Sequence, residues 1–438
     1  MSDSITIYCP EAGPRHSYIF DLIFKELLGV NYEYTNGVEQ AHLNYSNLQA
    51  AGLQCVPHSL LSENHIRPLD IDSLADWGDT KCFFKTGSGD LPYDIFAAAF
   101  YLVTRYEEYL RFEADAHNRF PAFSSILVKC DVISEPLVNQ WAIKLRETLL
   151  AHYPSLSFKP RTFEYVSTID IDQTWQYRHK GWVRNSLGFL RDFKNGKWGD
   201  LKDRLSALSG LTDDSFFNFD WQLAVHQKYN TRVNYFMLLG DYGRFDKNIH
   251  HTNTEFRKLI QDLSKIPQNQ VGIHPSYHSN TDYKRVEKEL NRLKNILNAD
   301  ITKSRQHFLM HQMPETYANL DKLGITEEHT MGYSTHLGFR AGIAAPFLWY
   351  DLASNRVTKM RLMPFCAMDI TPLHYMRQNP SEAIATLKEL MNKVKAVDGL
   401  FISLWHNESL SESGRWKSWR KVYEQMIAYA HHIRSTSD

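Results

Sequence analysis

Two histidines stand four residues apart in the segment His274-Pro-Ser-Tyr-His278. On a helix this spacing places both imidazoles on one face, where they could share a metal ion. Pro275 suits the first turn of a helix, because its missing N–H would be unpaired there anyway. Pro275 also stands where the metalloprotease motif H-E-x-x-H has its catalytic glutamate, so that motif is excluded. Since the chain contains 20 histidines, the other interpretation is a chance pair of solvent-exposed histidines at the start of a helix.

Two aspartates, Asp170 and Asp172, end the apolar segment 163–172. Residues i and i+2 of a strand point to the same face, so both carboxylates would project together. Two such carboxylates repel each other and are costly to bury, and a metal cation or an arginine would offset that cost. The alternative is a strand that ends in a loop, with Asp172 capping the segment that follows.

Four further residues follow or interrupt apolar segments. His406 ends LFISLWH and Asp369 lies in MPFCAMDITPLHY, both consistent with polar side chains at strand ends. Arg305 in SRQHFL and Arg340 in GFRAG could each pair with one of the aspartates. Each has an ordinary alternative, a structural histidine or aspartate or a surface arginine.

The elements that would position these residues alternate along the chain from residue 163. Apolar strand-like segments at 163–172, 233–239, 270–274, 307–311 and 400–406 are separated by amphipathic helical stretches. Such alternation predicts βα units around a parallel sheet or barrel. In a barrel the chemistry lies at the carboxyl ends of the strands, where these aspartates and histidines stand.

The N-terminal part has an α/β pattern of its own. A strand at 5–9 precedes an amphipathic stretch, and helices are predicted at 92–112 and 136–152. Two prolines and several small polar residues at 152–162 mark a boundary. We therefore predict an N-terminal α/β domain of unknown role over 1–158 and a second domain over 159–438.

Within the second domain, an insertion is predicted at about 176–215. It is rich in Arg, Lys and Gly, with Trp182, Phe189, Leu190 and Phe193 interleaved. Such a flap could meet an anionic substrate or a membrane surface, or it could be a solvated amphipathic helix.

Composition excludes several classes of protein. The 438 residues are 43% apolar and 23% charged, an ordinary globular balance. The formal net charge of −1 gives no overall attraction to nucleic acid. The five cysteines contain no C-x-x-C pair, and neither a phosphate-binding glycine loop nor a G-x-S-x-G elbow occurs.

The sequence shows no targeting or membrane-spanning segment. The N-terminus has no signal-peptide pattern, and the longest apolar run, 95–103, is too short to cross a bilayer. The expected location is therefore the cytoplasm. No protein partner is predicted.

Taken in order, the motifs T-x-D-x-D, H-x-x-x-H, an arginine segment, an aspartate and L-x-H resemble the polysaccharide deacetylase family, the nodulation-protein-B type of carbohydrate esterase. The resemblance covers about residues 163–410. The N-terminal part, with PYDIFAAAFYLVTRYEEYL, is similar to an uncharacterised domain that precedes the deacetylase domain in one intracellular branch of the family. The resemblance implies a distorted (β/α) barrel preceded by a smaller α/β domain.

The resemblance also implies a site with a divalent metal held by one aspartate and two histidines. By position these ligands are Asp172, His274 and His278, with zinc as the expected ion and cobalt, nickel or manganese as alternatives. Asp170 would be the catalytic base and His406 the general acid. Because Ile171 separates two acids that are adjacent in the family, the reverse assignment of the aspartates stays open.

The remaining roles follow from the same resemblance. Arg305 would brace the base, although it lacks the proline that follows this arginine in the family, and Arg340 is the alternative. Asp369 would orient a partner of the base or of His406. The predicted substrate-binding residues are Arg340, Trp405 and Tyr277.

The predicted function is therefore a metal-dependent hydrolase that removes an acyl group, acetyl as the expected one, from an N-acylated sugar. For a cytoplasmic enzyme the substrate would be a soluble or lipid-linked glycan precursor. One alternative is a non-catalytic carbohydrate-binding pseudoenzyme, suggested by the separated acids and the missing proline. Another is an iron oxygenase with two histidines and one carboxylate, which the α/β alternation disfavours because such enzymes are usually jelly rolls.

Overall fold

A small parallel sheet organises the N-terminal part of the protein in the computed structural model, which describes residues 4–50, 52–71, 73–87, 89–159 and 161–435. The strands of this part are β1 (Ser4–Tyr8), β2 (Asn31–Tyr34), β3 (Leu43–Asn44), β4 (Leu53–Gln54), β5 (Ala75–Trp77) and β6 (Thr80–Cys82). Its α-helices are α1 (Pro14–Phe20), α2 (Ile95–Val103), α3 (Ile126–Lys129) and α4 (Leu137–His152). The parallel sheet has the order β2-β1-β3-β4, and β5 and β6 form a separate antiparallel pair.

The helix predicted at 92–112 is shorter in the structure. Asp94 caps α2, because its Oδ1 accepts from the backbone N–H groups of Phe96 and Ala97 at 3.1 and 3.0 Å. The helix ends at Val103, and Arg105 adopts a left-handed conformation with φ of 54°. This turn buries the guanidinium of Arg105 in an ion network that the helical pattern did not reveal.

That ion network joins the N-terminal part to Arg340, which lies in the second part of the protein. Glu108 accepts from the guanidinium of Arg340 at 2.8 and 2.9 Å and from that of Arg105 at 2.7 Å, and all three side chains are buried. Although burial alone raises the pKa of Glu108, Arg340 and Arg105 hold it well below its usual value. A buried carboxylate held this way is costly to replace, because Arg340 loses its carboxylate partner and Arg105 keeps only Glu107.

Glu108→Gln is accordingly expected to lower the free energy of unfolding by about 3–5 kcal/mol. The matched control is Asp79→Asn, which removes a surface pair with Lys144 at 2.8 Å. Loss of that exposed pair should cost about 1 kcal/mol or less. Urea denaturation followed by circular dichroism measures both changes. Equal losses in the two variants would contradict a stabilising role for the buried network.

A nine-stranded sheet forms the second part of the protein. Its strands are β7 (Glu164–Ile171), β8 (Val233–Leu238), β9 (Asn269–His274), β10 (Lys303–Ser304), β11 (Glu327–Glu328), β12 (Phe347–Asp351), β13 (Arg356–Leu362), β14 (Ala367–Met368) and β15 (Leu400–His406). The order is β12-β13-β11-β10-β9-β8-β7-β15-β14, and only the β12–β13 ladder is antiparallel. The α-helices are α5 (Gly181–Lys194), α6 (Trp198–Ser209), α7 (Phe219–Lys228), α8 (Thr254–Ser264), α9 (Tyr283–Leu297), α10 (Glu315–Lys322), α11 (Pro380–Ala396) and α12 (Trp419–Ser435).

The segment between β13 and β14 closes this sheet into a distorted barrel. The N–H of Met363 donates to Glu328 of β11, and the N–H of Cys366 donates to Ile402 of β15, at 2.8 and 3.0 Å. A short stretch of chain thus bridges the gap between the two sides of the sheet. The predicted α/β class with a barrel-type sheet is confirmed.

Side chains alternate between the two faces of the barrel wall. On β7, Ile169 and Ile171 join the main hydrophobic core, whereas Val166 packs with Ile402 and Leu404 in a separate small cluster. The period of two therefore places Asp170 on the same face as Val166. The main core is continuous from the N-terminal sheet to α12, so the division at 158/159 stays a prediction.

Two other predicted segments, 307–311 and the insertion at about 176–215, lie outside the barrel wall. The strand predicted at 307–311 is wrong, because a short 3-10 helix at His307–Leu309 follows β10 there. The predicted insertion contains α5 and α6, which lie between β7 and α7. No helix in the described part of the chain is long and apolar enough to cross a membrane.

Candidate active site

The candidate catalytic side chains meet at the carboxyl ends of neighbouring strands. Asp170 on β7 is paired in register with His406, the last residue of β15. His274 is the last residue of β9, and Asp172 directly follows β7. Parallel strands end at the same edge, so these groups line one cavity of about 370 Å³ at the mouth of the barrel.

Three side chains in this cavity form a group that fits a metal ion. One ligand atom each of Asp172, His274 and His307 lies within 4.8 Å of the others. Asp172 Oδ1 is 3.3 Å from His274 Nε2, and Asp172 Oδ2 is 3.4 Å from His307 Nε2. One carboxylate and two imidazoles are a ligand set that zinc takes in catalytic sites, with a further position left for water or substrate.

Neighbouring groups aim both imidazoles at Asp172. His274 Nδ1 donates to the carbonyl of Arg305 at 2.6 Å, and His307 Nδ1 donates to Asp246 Oδ1 at 2.8 Å. Such outer contacts fix the tautomer that leaves Nε2 free to bind a metal. His274 Nε2 and Asp172 Oδ1 are buried and have no hydrogen-bond partner among the described residues. The residues therefore fit a divalent cation.

The charges of the group also favour a cation between these side chains. Burial alone raises the pKa of Asp172, but His307 and His274 hold it well below its usual value. Burial alone lowers the pKa of His307, but Asp172 and Asp246 raise it to about 9. The site thus stabilises positive charge at the point where the three ligand atoms meet.

Asp170 is held beside this group by a buried arginine. Arg305 Nη1 donates to Asp170 Oδ1 at 3.0 Å, and Arg305 Nε donates to the carbonyl of His329 at 3.0 Å. The guanidinium lies between the rings of Phe236 and Phe365, 4.7 and 5.6 Å from their centroids. Asp170 Oδ2 lies 3.7 Å from His274 Nε2, so this oxygen faces the candidate metal position.

His406 stands on another side of the cavity with an aspartate behind it. Asp369 Oδ2 accepts from the backbone N–H of His406 at 2.8 Å and from its Nδ1 at 3.0 Å. Burial alone lowers the pKa of His406, but Asp369 and the aspartates Asp172 and Asp170 raise it to about 10. His406 Nε2 points to the cavity, 3.9 Å from Asp172 Oδ2. A protonated imidazole is therefore available to donate there.

The structure does not bring His278, the second predicted metal histidine, into this three-residue group. His278 lies outside the three-residue group, on a short 3-10 helix, with its ring 6.3 Å from that of Phe245. The α-helix that would place His278 beside His274 does not form, because Ser276 is extended with ψ of 165°. Glu289 holds it there, accepting from the backbone N–H and the hydroxyl of Ser276 at 2.8 and 2.5 Å.

The three predicted substrate-binding residues lie away from the cavity wall. Trp405 is buried on the outer face of β15, where its ring packs against Tyr423 of α12. Arg340 belongs to the ion network around Glu108. Tyr277 lies behind the cavity residue His117, with its hydroxyl 2.9 Å from Nδ1 of that histidine.

Other residues, which no sequence motif singles out, take those places. Phe308, Tyr375 and Trp416 supply aromatic surface to the cavity, and the N-terminal part contributes His117 and Arg119. Arg119 donates to the carbonyl of Phe308. Phe308 is left-handed with φ of 58°. That conformation is costly for a bulky residue.

Comparison with known proteins found a family model for the N-terminal part of the chain only. The N-terminal residues 5–154 match a family of unknown function, DUF7033. No curated protein matches the chain.

Similar solved structures include three with low sequence identity. A putative polysaccharide deacetylase from Mycobacterium smegmatis is 14% identical, with a TM-score of 0.40 over 64% of this chain and 92% of that one. A 4-alpha-glucanotransferase from Thermococcus litoralis is 13% identical, with a TM-score of 0.37 over 63% of this chain and 38% of that one. A mutant with restored enzymatic activity of the Bacillus anthracis CE4 family pseudoenzyme BA3943 is 12% identical, with a TM-score of 0.31 over 64% and 65% of the two chains.

Proposed function

We propose that this protein is a metal-dependent hydrolase that removes an acyl group, acetyl as the expected one, from an N-acylated sugar or glycan precursor. One observation carries the proposal. A two-histidine, one-aspartate group lies between a carboxylate braced by arginine and a histidine backed by aspartate. Amide hydrolysis needs a base for water, charge stabilisation at the carbonyl oxygen and an acid for the leaving amine, and this cavity offers all three.

Asp172, His274 and His307 would hold the cation, with zinc as the expected ion. When bound, a divalent cation supplies Lewis acidity to the acyl carbonyl and to the attacking water. Asp170 would take a proton from that water at Oδ2, because Oδ1 is occupied by Arg305. Arg305 keeps this carboxylate in place.

The leaving group would receive its proton from His406. The water oxygen bonds to the acyl carbon, the C–N bond breaks, and His406 Nε2 gives its proton to the nitrogen, which leaves as an amine. An amine leaves poorly without this proton, so a positioned acid is required. Asp369 acts as a positioning residue, because it holds Nδ1 of His406 and keeps Nε2 directed into the cavity.

The substrate class rests on the cavity wall and on the motif resemblance. Phe308, Tyr375 and Trp416 offer ring faces against which a sugar could pack. Arg119 and Glu408 add polar groups that could bind hydroxyls. The ordered motifs of the polysaccharide deacetylase family support an N-acetylated sugar within that cavity.

The test measures acetate and free amine released from N-acetylglucosamine oligomers and from glycan precursors. Release is expected with zinc or cobalt, is expected to stop with a chelator, and is expected to be lost in His274→Ala. If metal and sugar bind tightly but no acetate appears over the substrate panel, the hydrolase proposal fails. The protein would then be a carbohydrate-binding pseudoenzyme.

Asp369→Asn is expected to shift the alkaline limb of the pH–rate profile to lower pH. An opposite charge in contact moves a pKa by about 1–3 units, so losing the carboxylate should lower the pKa of His406 by more than about one unit. The acid is active when protonated, so activity would fall earlier as pH rises. The profile of kcat/KM measures this, with the exposed Asp220→Asn as control. An unchanged alkaline limb would contradict the assignment of His406 as acid.

A further inference from the structure

The helical hairpin formed by α5 and α6 turns its apolar side towards solvent. Of the 18 exposed large apolar side chains in the described part of the protein, eight lie on it and a ninth, Leu211, follows it directly; Trp182 and Leu211 are 80% and 82% exposed. We call this surface the hairpin face, and it consists of Trp182, Val183, Leu187, Leu190, Phe193, Trp198, Leu205, Leu208 and Leu211. Large apolar side chains exposed together on neighbouring helices indicate an interaction site.

The buried side of the hairpin contains an ion pair beside the apolar side chains of Leu201 and Ala207. Asp192 of α5 is buried and accepts from Arg204 of α6 at 2.5 Å and from Arg191 at 3.1 Å. Arg204 also donates to Asn185 at 3.1 Å. Gly188 makes room for this pair, because a Cβ there would lie 2.7 Å from the Arg204 guanidinium. Polar contacts and the edge-to-face pair of Phe193 and Trp198 hold the two helices together, and most large apolar side chains of the hairpin face outward.

The charge around the hairpin face favours an anionic occupant. Residues 181–211 contain six basic and three acidic residues, a formal charge of +3 on a chain whose total is −1. One of the acids, Asp192, is buried and paired. The exposed basic residues include Arg191, Lys194, Lys197 and Lys202. Two copies of this face would bring like charges together, whereas anionic lipid headgroups would attract them.

We propose that the hairpin face docks on an anionic phospholipid bilayer. Both helices, of 14 and 12 residues, are too short to span a bilayer and would lie in its surface plane. Tryptophan, phenylalanine and leucine on one side with lysine and arginine beside them are the composition of such surface helices. This proposal does not depend on the hydrolase activity.

Vesicle flotation of the full-length protein tests the docking. We expect wild type to float with phosphatidylcholine vesicles containing about 30% phosphatidylglycerol, and binding to weaken in high salt. Leu187→Ser/Leu190→Ser and Lys194→Glu/Lys197→Glu should each reduce the bound fraction at least fivefold. Phe123→Ser, at a position that is 65% exposed in the N-terminal part, is the matched control and should bind like wild type.

Three results would overturn the docking. They are no flotation of wild type, equal binding of all variants, or a dimer in light scattering that the same hairpin variants dissociate without any vesicle binding. The altered side chains are exposed, so each variant should keep the far-ultraviolet circular dichroism spectrum of wild type.

A second cavity supports a separate proposal about the substrate. It has a volume of about 540 Å³, lies next to the candidate active site, and shares Glu408 with it. Its lining includes the acids Asp192, Asp200 and Glu408 together with the cations Lys180, Arg184 and Lys247. Among the described ion pairs none of these three cations has a carboxylate partner, since Lys180 donates to the amide oxygen of Gln173 at 2.7 Å and the other two donate to backbone carbonyls.

The three cations converge although their charges repel. Arg184 and Lys247 both lie over the ring of Tyr242, 4.2 and 4.8 Å from its centroid. Burial and Arg184 lower the pKa of Lys180 to about 8, although the charges of Asp214 and Glu408 act in the opposite direction. A ligand with several negative oxygens would offset this repulsion.

The geometry points to a site for a phosphate or diphosphate group of the substrate in this second cavity. The inference rests on the proposed function, since it names the substrate as a phosphorylated N-acyl sugar. Such a phosphate could belong to a nucleotide or to a lipid carrier, and both chemistries would be recognised by the same cations.

Calorimetry with inorganic pyrophosphate tests this site directly. Wild type should bind it, and Lys180→Met and Lys247→Met should each weaken binding at least tenfold, with the exposed Lys202→Met as control. With phosphorylated substrates the two variants should raise KM at least tenfold, leaving hydrolysis of neutral oligomers unchanged. A nucleotide-linked sugar in solution and a prenyl-linked sugar in vesicles distinguish the two sources.

The outcomes separate this site from the hydrolase. Absence of pyrophosphate binding, or equal binding by all variants, overturns the phosphate site even if acetate is released. Lysine-dependent pyrophosphate binding without acetate release from any substrate would retain the phosphate site and reject the hydrolase.

Discussion

His307→Ala is expected to abolish tight binding of one divalent metal ion and to remove hydrolysis with it. His307 Nε2 is one of the three converging ligand atoms, 3.4 Å from Asp172 Oδ2. Changes to residues that only orient a ligand cost about 10–100-fold in metal affinity, so losing the ligand itself should cost more than about 100-fold. Titration calorimetry with zinc and elemental analysis of the purified protein measure this loss.

His278→Ala is the matched control for that variant. It removes an imidazole from the same mouth of the barrel, but from outside the three-residue group. Its metal affinity and its kcat should match those of wild type. If His278→Ala lost the metal while His307→Ala kept it, the ligand set Asp172, His274 and His307 would be wrong. The helical interpretation of the segment from His274 to His278 would then be restored.

Asp170→Asn is expected to keep the metal and to lose turnover. General base catalysis contributes about 10²–10⁴-fold, so kcat should fall by that factor. The reason is geometric, because Asp172 contacts both histidines of the group whereas Asp170 contacts Arg305 and presents one oxygen towards the metal position. Single-turnover acetate release, together with metal content, separates the two effects.

Asp172→Asn is the companion variant and should show the opposite pattern. It should lose metal affinity first, and activity should return partly at high metal concentration. If Asp172→Asn retained the metal and Asp170→Asn lost it, the assignment of base and ligand would have to be exchanged. Both substitutions keep the side-chain volume, so near-ultraviolet circular dichroism should show the native fold in each.

Much of the site could be predicted because its residues stand at strand ends. The apolar strand of β7 predicts that Asp170 and Asp172 project together, and β9 and β15 end at His274 and His406. Parallel strands gather their carboxyl ends at one edge, so the topology brings these groups together without further information. The same reasoning applies to Asp369 after β14.

His307 could not be distinguished in the same way. The apolar segment HFLMH has the pattern of a strand, but the chain leaves β10 at Ser304 and turns through two left-handed residues, Phe308 and Leu309. That turn is held by contacts from elsewhere, including the one from Arg119. One local feature could have indicated His307. Arg305 and His307 are two residues apart, and so are Asp170 and Asp172, the aspartates that they contact.

Trp405 and Arg340 show two different causes of error. Alternation along β15 places Trp405 opposite to His406, so the period of two already argued against Trp405 in the cavity. Arg340 is held by Glu108, which lies 232 residues away in the N-terminal part. No local pattern identifies a partner at that separation.

We propose that Asp172, His274 and His307 bind one catalytic metal ion. Anomalous diffraction from crystals grown with zinc tests it most directly. We predict one strong peak about 2.0–2.2 Å from Nε2 of both histidines and from a carboxylate oxygen of Asp172, with Asp170 and His406 outside the coordination sphere. A peak bound by His278, a peak elsewhere in the protein, or no peak at saturating zinc would contradict it.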